Sequence, residues 1–278
     1  MKYILLCLLT IHCFTSTGQE LKLRKRASNA LSGTEFSKSI SDSALSLSNR
    51  ELIIFNEIRS GNIPKFYRNL VEIRDTISNL EKIHTIRYFV LPDFIAIGSD
   101  DDYFYCPMRP QLAQKVANLM KSSLPTRKIS NQIYQNALLK MTPEPIPPSP
   151  QMITIPVFEK HNQIVNAQRK LIINNHPFGS LVAGNKKDVV ISNRIYNDKG
   201  ELRVVIYGWH KPDGKPIQPL YNGHSTIHVD YSHGIRLVQN KVWVNGKKAS
   251  VQKVLKSEIL NALLSDEGPI AAPFYPIN

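Results

Sequence analysis

Residues 143–150, Pro-Glu-Pro-Ile-Pro-Pro-Ser-Pro, restrict what this chain can fold into more than any other stretch. Proline has no amide proton to offer a helix or a β-ladder, and each proline pushes the residue before it out of the α region. The segment must therefore run extended over a surface. On its N-terminal side, strand-forming residues lead into helices. On its C-terminal side, one helix leads into short strands and a closing helix. Neither side holds a self-sufficient core, so the segment reads as a long internal connection within one domain.

Before it, Ser48 precedes Leu52, Ile53, Phe55 and Ile58, and the run stops at Ser60-Gly61, the pattern of a short capped helix. Val71, Ile73, Ile86, Tyr88, Val90, Ile95 and Ile97 predict strands between Phe66 and Phe104, with turns at Leu91-Pro92-Asp93 and Gly98-Ser99-Asp100. Leu112, Val116, Leu119 and Met120 recur at helical spacing after Pro110, and Ile129, Ile133, Tyr134, Ala137 and Leu138 form a second such stripe. Beyond the prolines a helix is expected over 157–170. Strands are expected at 188–192, 203–210, 228–238 and 241–244, separated by turn signals such as Asn245-Gly246. Val251, Val254, Leu255, Ile259, Ala262 and Leu263 mark a final amphipathic helix. This order argues for an α+β fold, an antiparallel sheet with helices packed on it, as one domain over 48–278, and against repeating βαβ units.

The N-terminus has the form of a secretory signal: Lys2, an apolar run from Tyr3 to Phe14, then Ser16 and Gly18 before Gln19. The run is shorter than the roughly 20 apolar residues a spanning helix needs. Cleavage near Gly18 is expected, leaving no transmembrane anchor and a periplasmic or extracellular protein. Cys7 and Cys13 follow Leu6 and His12 rather than a small residue, which argues against lipid attachment. Residues 19–47, rich in Ser, Lys and Arg, read as a loose polar leader. Without the signal, Cys106 is the one remaining cysteine, so no internal disulfide is possible and the core must hold the fold.

Charge points to the partner. Loss of Lys2 leaves 34 Lys and Arg against 22 Asp and Glu, or +12. An excess of that size favours anionic partners. No nucleic-acid recognition motif accompanies it, so an anionic envelope polymer or glycan is the expected partner and nucleic acid is not.

Histidine distribution points to the chemistry. His210, His224, His228 and His233 fall within 24 residues that also contain Asp230. Imidazole titrates near neutrality and binds metals through either nitrogen. His210, His224, Asp230 and His233 are the catalytic candidates, and His224, Asp230 and His233 are candidate ligands for a divalent metal such as zinc. On a regular strand, His228 and Asp230 would share one face and His233 the other. Convergence needs a bend at Ser232-His233-Gly234, and Gly234 permits a bulge there. Lys187, Asp188, Trp209, Gln218, Tyr231 and Arg236 are candidates to bind substrate.

Cysteine chemistry is the rival. Cys106 precedes a helix start, where a dipole stabilises a thiolate, and Cys followed much later by His is the residue order of papain-like and NlpC/P60-like hydrolases, with His224 as base. No Gly-x-Ser-x-Gly elbow, Gly-rich phosphate loop or Cys-x-x-Cys pair is present.

Five blocks occur together: Leu124-Pro125-Thr126-Arg127-Lys128, Ala183-Gly184-Asn185-Lys186-Lys187-Asp188, Tyr207-Gly208-Trp209-His210, Pro216-Ile217-Gln218-Pro219-Leu220, and Asp230-Tyr231-Ser232-His233-Gly234-Ile235-Arg236-Leu237. In this combination the chain resembles a family of uncharacterised exported bacterial proteins. The resemblance implies export and a shared fold, and no activity. The reading is then an exported hydrolase acting on a cell-envelope or extracellular polymer through the His/Asp cluster. Its alternative is a non-catalytic glycan- or wall-binding protein with Tyr207, Trp209, Tyr221 and Tyr231 as stacking surfaces.

Overall fold

The computed structural model describes residues 19–79 and 82–277. The expected signal segment, 1–18, lies outside the described residues. Among those described, no helix is long and apolar enough to cross a membrane.

Residues 19–47 are not a loose leader. Leu21 donates its amide to the Arg68 carbonyl at 2.7 Å and is buried. Helix α1, Gly33–Ser39, starts in a capping box made by Ser32 and Glu35 and buries Phe36 completely, with Ile40 just beyond it. Two large apolar side chains spaced one helical turn apart are enough to anchor a polar segment whose average composition hides them.

Helix α2, Leu47–Ser60, is capped by Ser46, two residues earlier than expected, and ends at Gly61 in the left-handed region with φ 91°. Strands β1, Val71–Asn79, and β2, Lys82–Val90, form a long antiparallel pair in which Val71 faces Val90. Strands β3, Ala96–Gly98, and β4, Tyr103–Tyr105, make a small hairpin under α1. Helix α3, Pro110–Leu119, has its proline in the first turn, where no amide is missed. Strand β5, Ser122–Ser123, leads to helix α4, Arg127–Asn136, whose cap is Thr126 of the Leu-Pro-Thr block. Short strand β6, Leu139–Lys140, precedes the proline-rich connection, which is irregular as expected. That connection is tied down by Tyr231, whose hydroxyl accepts from the Ile146 amide at 2.7 Å and donates to the Ile146 carbonyl at 3.0 Å.

Helix α5, Ile155–Ile172, follows, then strands β7, Val182–Ala183, β8, Lys187–Val189, β9, Ile206–His210, β10, Pro216–Tyr221, β11, His233–Gly234, and β12, Val238–Gln239. A hairpin of β13, Lys241–Val244, and β14, Lys247–Ser250, runs into helix α6, Val251–Lys256, and a 3-10 turn, Asn261–Leu263. The closing helix is thus shorter than its apolar stripe suggested.

The larger sheet is six-stranded. β2 is flanked by β1 on one edge and by β12 and β13 on the other; β14 extends from β13 and β5 from β12. Its inner face is covered by α4, where Tyr88 donates to Gln132 at 2.6 Å. The second sheet has the order β10-β9-β8-β11, antiparallel except for the parallel β8/β11 contact. The fold is α+β, mainly antiparallel sheet with helices packed on it.

Candidate metal centre

The stretch expected as one strand, 228–238, is instead open chain, a turn and two short strand pieces, and the turn creates the site. Asp230 accepts from the Ser232 amide at 2.7 Å and from the Ser232 hydroxyl, both through Oδ1. The His233 amide donates to the Asp230 carbonyl at 3.1 Å. This Asx-type turn reverses the chain at Asp230–His233. β8 holds the turn from outside: the Lys187 amide donates to the Ser232 carbonyl at 2.8 Å, and His233 lies in register with Lys187.

With Oδ1 committed to Ser232, Oδ2 of Asp230 faces the histidines. It lies 3.6 Å from His228 Nε2 and 3.7 Å from His233 Nε2. One donor atom from each residue fits within a 4.8 Å sphere of separations. Ligands about 2.0–2.1 Å from a tetrahedral zinc stand roughly 3.3 Å apart, so small side-chain adjustments would close this set on an ion. The bend expected at 232–234 is present, displaced slightly toward Asp230. Gly234 acts through space rather than a bulge: a β-carbon there would sit 2.4 Å from the Phe94 ring and 2.7 Å from the Lys186 β-carbon.

His233 supplies the most pointed observation. Its side chain is fully buried, and neither ring nitrogen has a hydrogen-bond partner. A buried imidazole without partners forfeits its hydration for nothing, so such a group asks for a ligand. Burial lowers the His233 pKa to about 4; Asp230 opposes the shift and Lys187 adds to it. At neutral pH the ring is therefore the neutral, metal-binding form. For Asp230, burial favours the protonated acid, but His233, the contact with His228, Lys187 and Ser232 outweigh it and hold the carboxyl well below the usual range. An ionised carboxylate and two imidazoles are a hard/borderline donor set suited to Zn²⁺ or another divalent first-row ion.

His224 is not in the donor set. Its ring stacks on His228, centroids 3.9 Å apart, and meets Tyr221 edge-on. Burial, then His228, lower its pKa. His210 faces elsewhere: its Nε2 lies 2.9 Å from the Asn131 side-chain oxygen, and its ring stacks on Tyr134. His228, grouped with the others by sequence but not singled out as a ligand, takes the place expected for His224.

The expected substrate contacts divide sharply. Lys187 is half-buried beside the cluster, with its ammonium 5.5 Å from the Trp209 ring centroid. Gln218, Gly208, Lys187 and His233 lie in one register row across the second sheet, although the Gln218 amide is used by the Pro219 carbonyl at 3.0 Å. Four others are core residues. Arg236 is buried and donates to the Val182 carbonyl at 2.7 Å and the Leu91 carbonyl at 3.2 Å. Asp188 is buried, and burial raises its pKa to about 6. Tyr231 spends its hydroxyl on Ile146, and Trp209 is buried edge-on to Tyr231 and His161. Their side chains serve packing because both faces of β8 and the 230–237 segment are covered.

Cys106 is likewise structural. It is buried, and burial drives its thiol far above the range in which a thiolate is available. The dipole argument fails because the chain folds the thiol inward, four residues ahead of α3.

A buried pair that sequence reading passed over supports the turn. Lys186 Nζ lies 2.9 Å from His161 Nδ1 of α5 and donates to the Tyr231 carbonyl at 2.6 Å. Burial brings Lys186 down to about 7. The Tyr231 peptide, between Asp230 and Ser232, is thereby fixed from the core side. Helical spacing alone assigns His161 to a buried face, and no local signal pairs it with a lysine 25 residues away.

Compared with models of protein families, with curated proteins and with solved structures, the chain matches none.

Proposed function

We propose that this protein is an exported, metal-assisted hydrolase of a cell-envelope or extracellular polymer, with His228, Asp230 and His233 as the metal ligands. The observation that carries the reading is His233, fully buried with both ring nitrogens unpartnered and Nε2 directed at the Asp230 carboxylate. A bound divalent ion would supply Lewis acidity and a water with a pKa near neutrality. The chain supplies the rest. Ser232 orients Asp230, and Lys187 adds a cation that can hold an anionic group of the substrate. His224, stacked on His228 and lowered in pKa, is a neutral proton acceptor at the edge of the site. Access is through His228, whose side chain is 33 % exposed.

The non-catalytic, glycan-stacking alternative has less behind it, because Trp209, Tyr207 and Tyr231 are buried and Tyr221 alone among the four is open. Export rests on the form of the N-terminal segment and on the resemblance of the five sequence blocks to exported proteins.

The test is metal analysis of the purified protein by inductively coupled plasma mass spectrometry, followed by hydrolysis assays on nitrophenyl esters, nitrophenyl phosphodiesters and peptidoglycan with Zn²⁺ or Mn²⁺ added. Near-stoichiometric metal and turnover, both abolished in Asp230→Asn, are expected. Stoichiometric metal without turnover of any probe would remove the hydrolase, and failure to bind either ion at micromolar concentration would remove the metal centre.

A further inference from the structure

The outer face of the larger sheet carries a feature the histidine site does not use. The pairing of β1 with β2, β2 with β13 and β13 with β14 puts Arg74, Arg87, Trp243 and Lys248 in one row across four strands. Directly paired residues share a face, and strands are about 4.8 Å apart, so the row spans roughly 14 Å. It lies on the face opposite Tyr88 and the α4 helix. Lys241, two residues before Trp243 on β13, points the same way and brings its ammonium 5.0 Å from the Trp243 ring centroid. The Arg87 guanidinium is 4.3 Å from that centroid. Phe89 is packed beneath, edge-on to Trp243.

Among the described residues, the ion pairs give the four cations on this face a single carboxylate. Glu72 contacts Arg74 at 2.6 Å and Arg87 at 3.6 Å, and the described ion pairs include none for Lys241 or Lys248. Like charges set side by side on a flat sheet repel one another. Here the indole holds two of them in place by cation–π attraction, which keeps the row assembled without neutralising it. Exposed Thr76 and Thr85, paired across β1 and β2 on the same face, add hydroxyls beside it.

We infer that this face is a docking surface for a flexible polyanion, a polymer with phosphate, sulfate or carboxylate groups repeated along its length. Two features choose that partner over others. The Trp243 ring already holds the Arg87 and Lys241 cations 4.3 and 5.0 Å from its centroid, so a nucleobase stacking there would have to compete with them. One apolar side chain does stand out on this face, Ile83 at the far end of β2, 70 % exposed, but a single such group is less than the apolar surface an interfacial membrane binder inserts. A linear polyanion laid across the strands meets cation after cation, and its counterions are released as it binds. The surface is separate from the His228/Asp230/His233 cluster and stands whether or not that cluster holds a metal.

The experiment uses heparin as the polyanion probe and phosphatidylcholine/phosphatidylglycerol vesicles as the membrane probe, followed by tryptophan fluorescence and by titration calorimetry in 50 and 300 mM NaCl. Saturable heparin binding is expected to perturb a fluorescence signal that Trp243→Phe removes, and to weaken at the higher salt. Arg87→Gln/Lys241→Gln/Lys248→Gln should bind at least tenfold more weakly. A control that removes the same charge elsewhere, Lys160→Gln/Lys199→Gln/Lys215→Gln, should stay within twofold of the parent, and His233→Gln should bind heparin as the parent does. Equal loss in the two triple variants would reduce the effect to net charge and overturn the surface. So would the absence of heparin binding at 50 mM NaCl, or binding to vesicles but not to heparin. Matching circular dichroism spectra and melting temperatures establish that the variants are folded.

Discussion

The imidazole of His224 lies nearly flat on that of His228, with 19° between the ring planes, while His228 reaches past it to within 3.6 Å of Asp230. The stacking separates two histidines that are four residues apart in the chain into different roles. His228 and His233 approach the carboxylate, and His224 covers the outer side of the cluster.

Metal binding should report this division. His228→Ala and His233→Ala are each expected to weaken zinc binding at least about tenfold, as loss of a ligand does, whereas His224→Ala should keep the stoichiometry. Competition titration with a chromogenic chelator measures all three. Loss of zinc in His224→Ala with retention in His228→Ala would reverse the assignment.

The buried Lys186 makes stability depend on pH. Burial lowers its pKa from 10.5 to about 7, so between those values the unfolded chain binds a proton that the folded chain does not. Stability contributed at this position therefore rises as pH increases from about 7 to 10.5, by up to about 1.4 kcal/mol per pH unit, and is lost again on acidification. Urea unfolding at pH 7 and pH 9.5 should show the slope, and Lys186→Met should flatten it. His210, held at about 4 by burial, acts in the same direction between pH 6.5 and 4.

Cys106 should behave as a core residue. Ellman's reagent is expected to react with it only on unfolding, and Cys106→Ala should leave any hydrolysis unchanged. Cys106→Ser, which buries a hydroxyl where a thiol was packed, should cost about 1–3 kcal/mol in chemical denaturation.

The segment before α2 should be part of the folding unit. Phe36 is completely buried against Phe104, ring centroids 6.3 Å apart. Phe36→Ala is expected to lower stability by about 3–5 kcal/mol, the usual cost of emptying a buried aromatic site. A change below 0.5 kcal/mol would mean that residues 19–47 are dispensable to the core.

Much of the local structure was legible because its signals act over a few residues. Gly61 ends α2, Pro110 opens α3, Leu124-Pro125-Thr126 separates α3 from α4, and the prolines at 143–150 keep that stretch irregular, whereas the cap of α2 is Ser46 and not the expected Ser48. β10 was not foreseen, because Pro216 and Pro219 speak against a strand. It is tolerated because β10 is an edge strand, where a missing amide proton breaks no ladder. The 228–238 segment misled in the opposite sense: its β-forming residues are real, but Asp230 and Ser232 close a turn that competes with the ladder.

From sequence alone came the α+β class, the stretch that holds the His/Asp cluster and the need for a bend near His233, all consequences of short-range periodicity and turn chemistry. Only the tertiary structure decided which imidazoles meet Asp230, that Asp188, Trp209, Tyr231 and Arg236 are buried, that Lys186 ties the turn to His161 of α5, and that Arg74, Arg87, Trp243 and Lys248 form one row. Those relationships join residues up to 174 positions apart. They are set by strand register and by which faces the helices cover, and neither leaves a mark on the residues next to them in the chain.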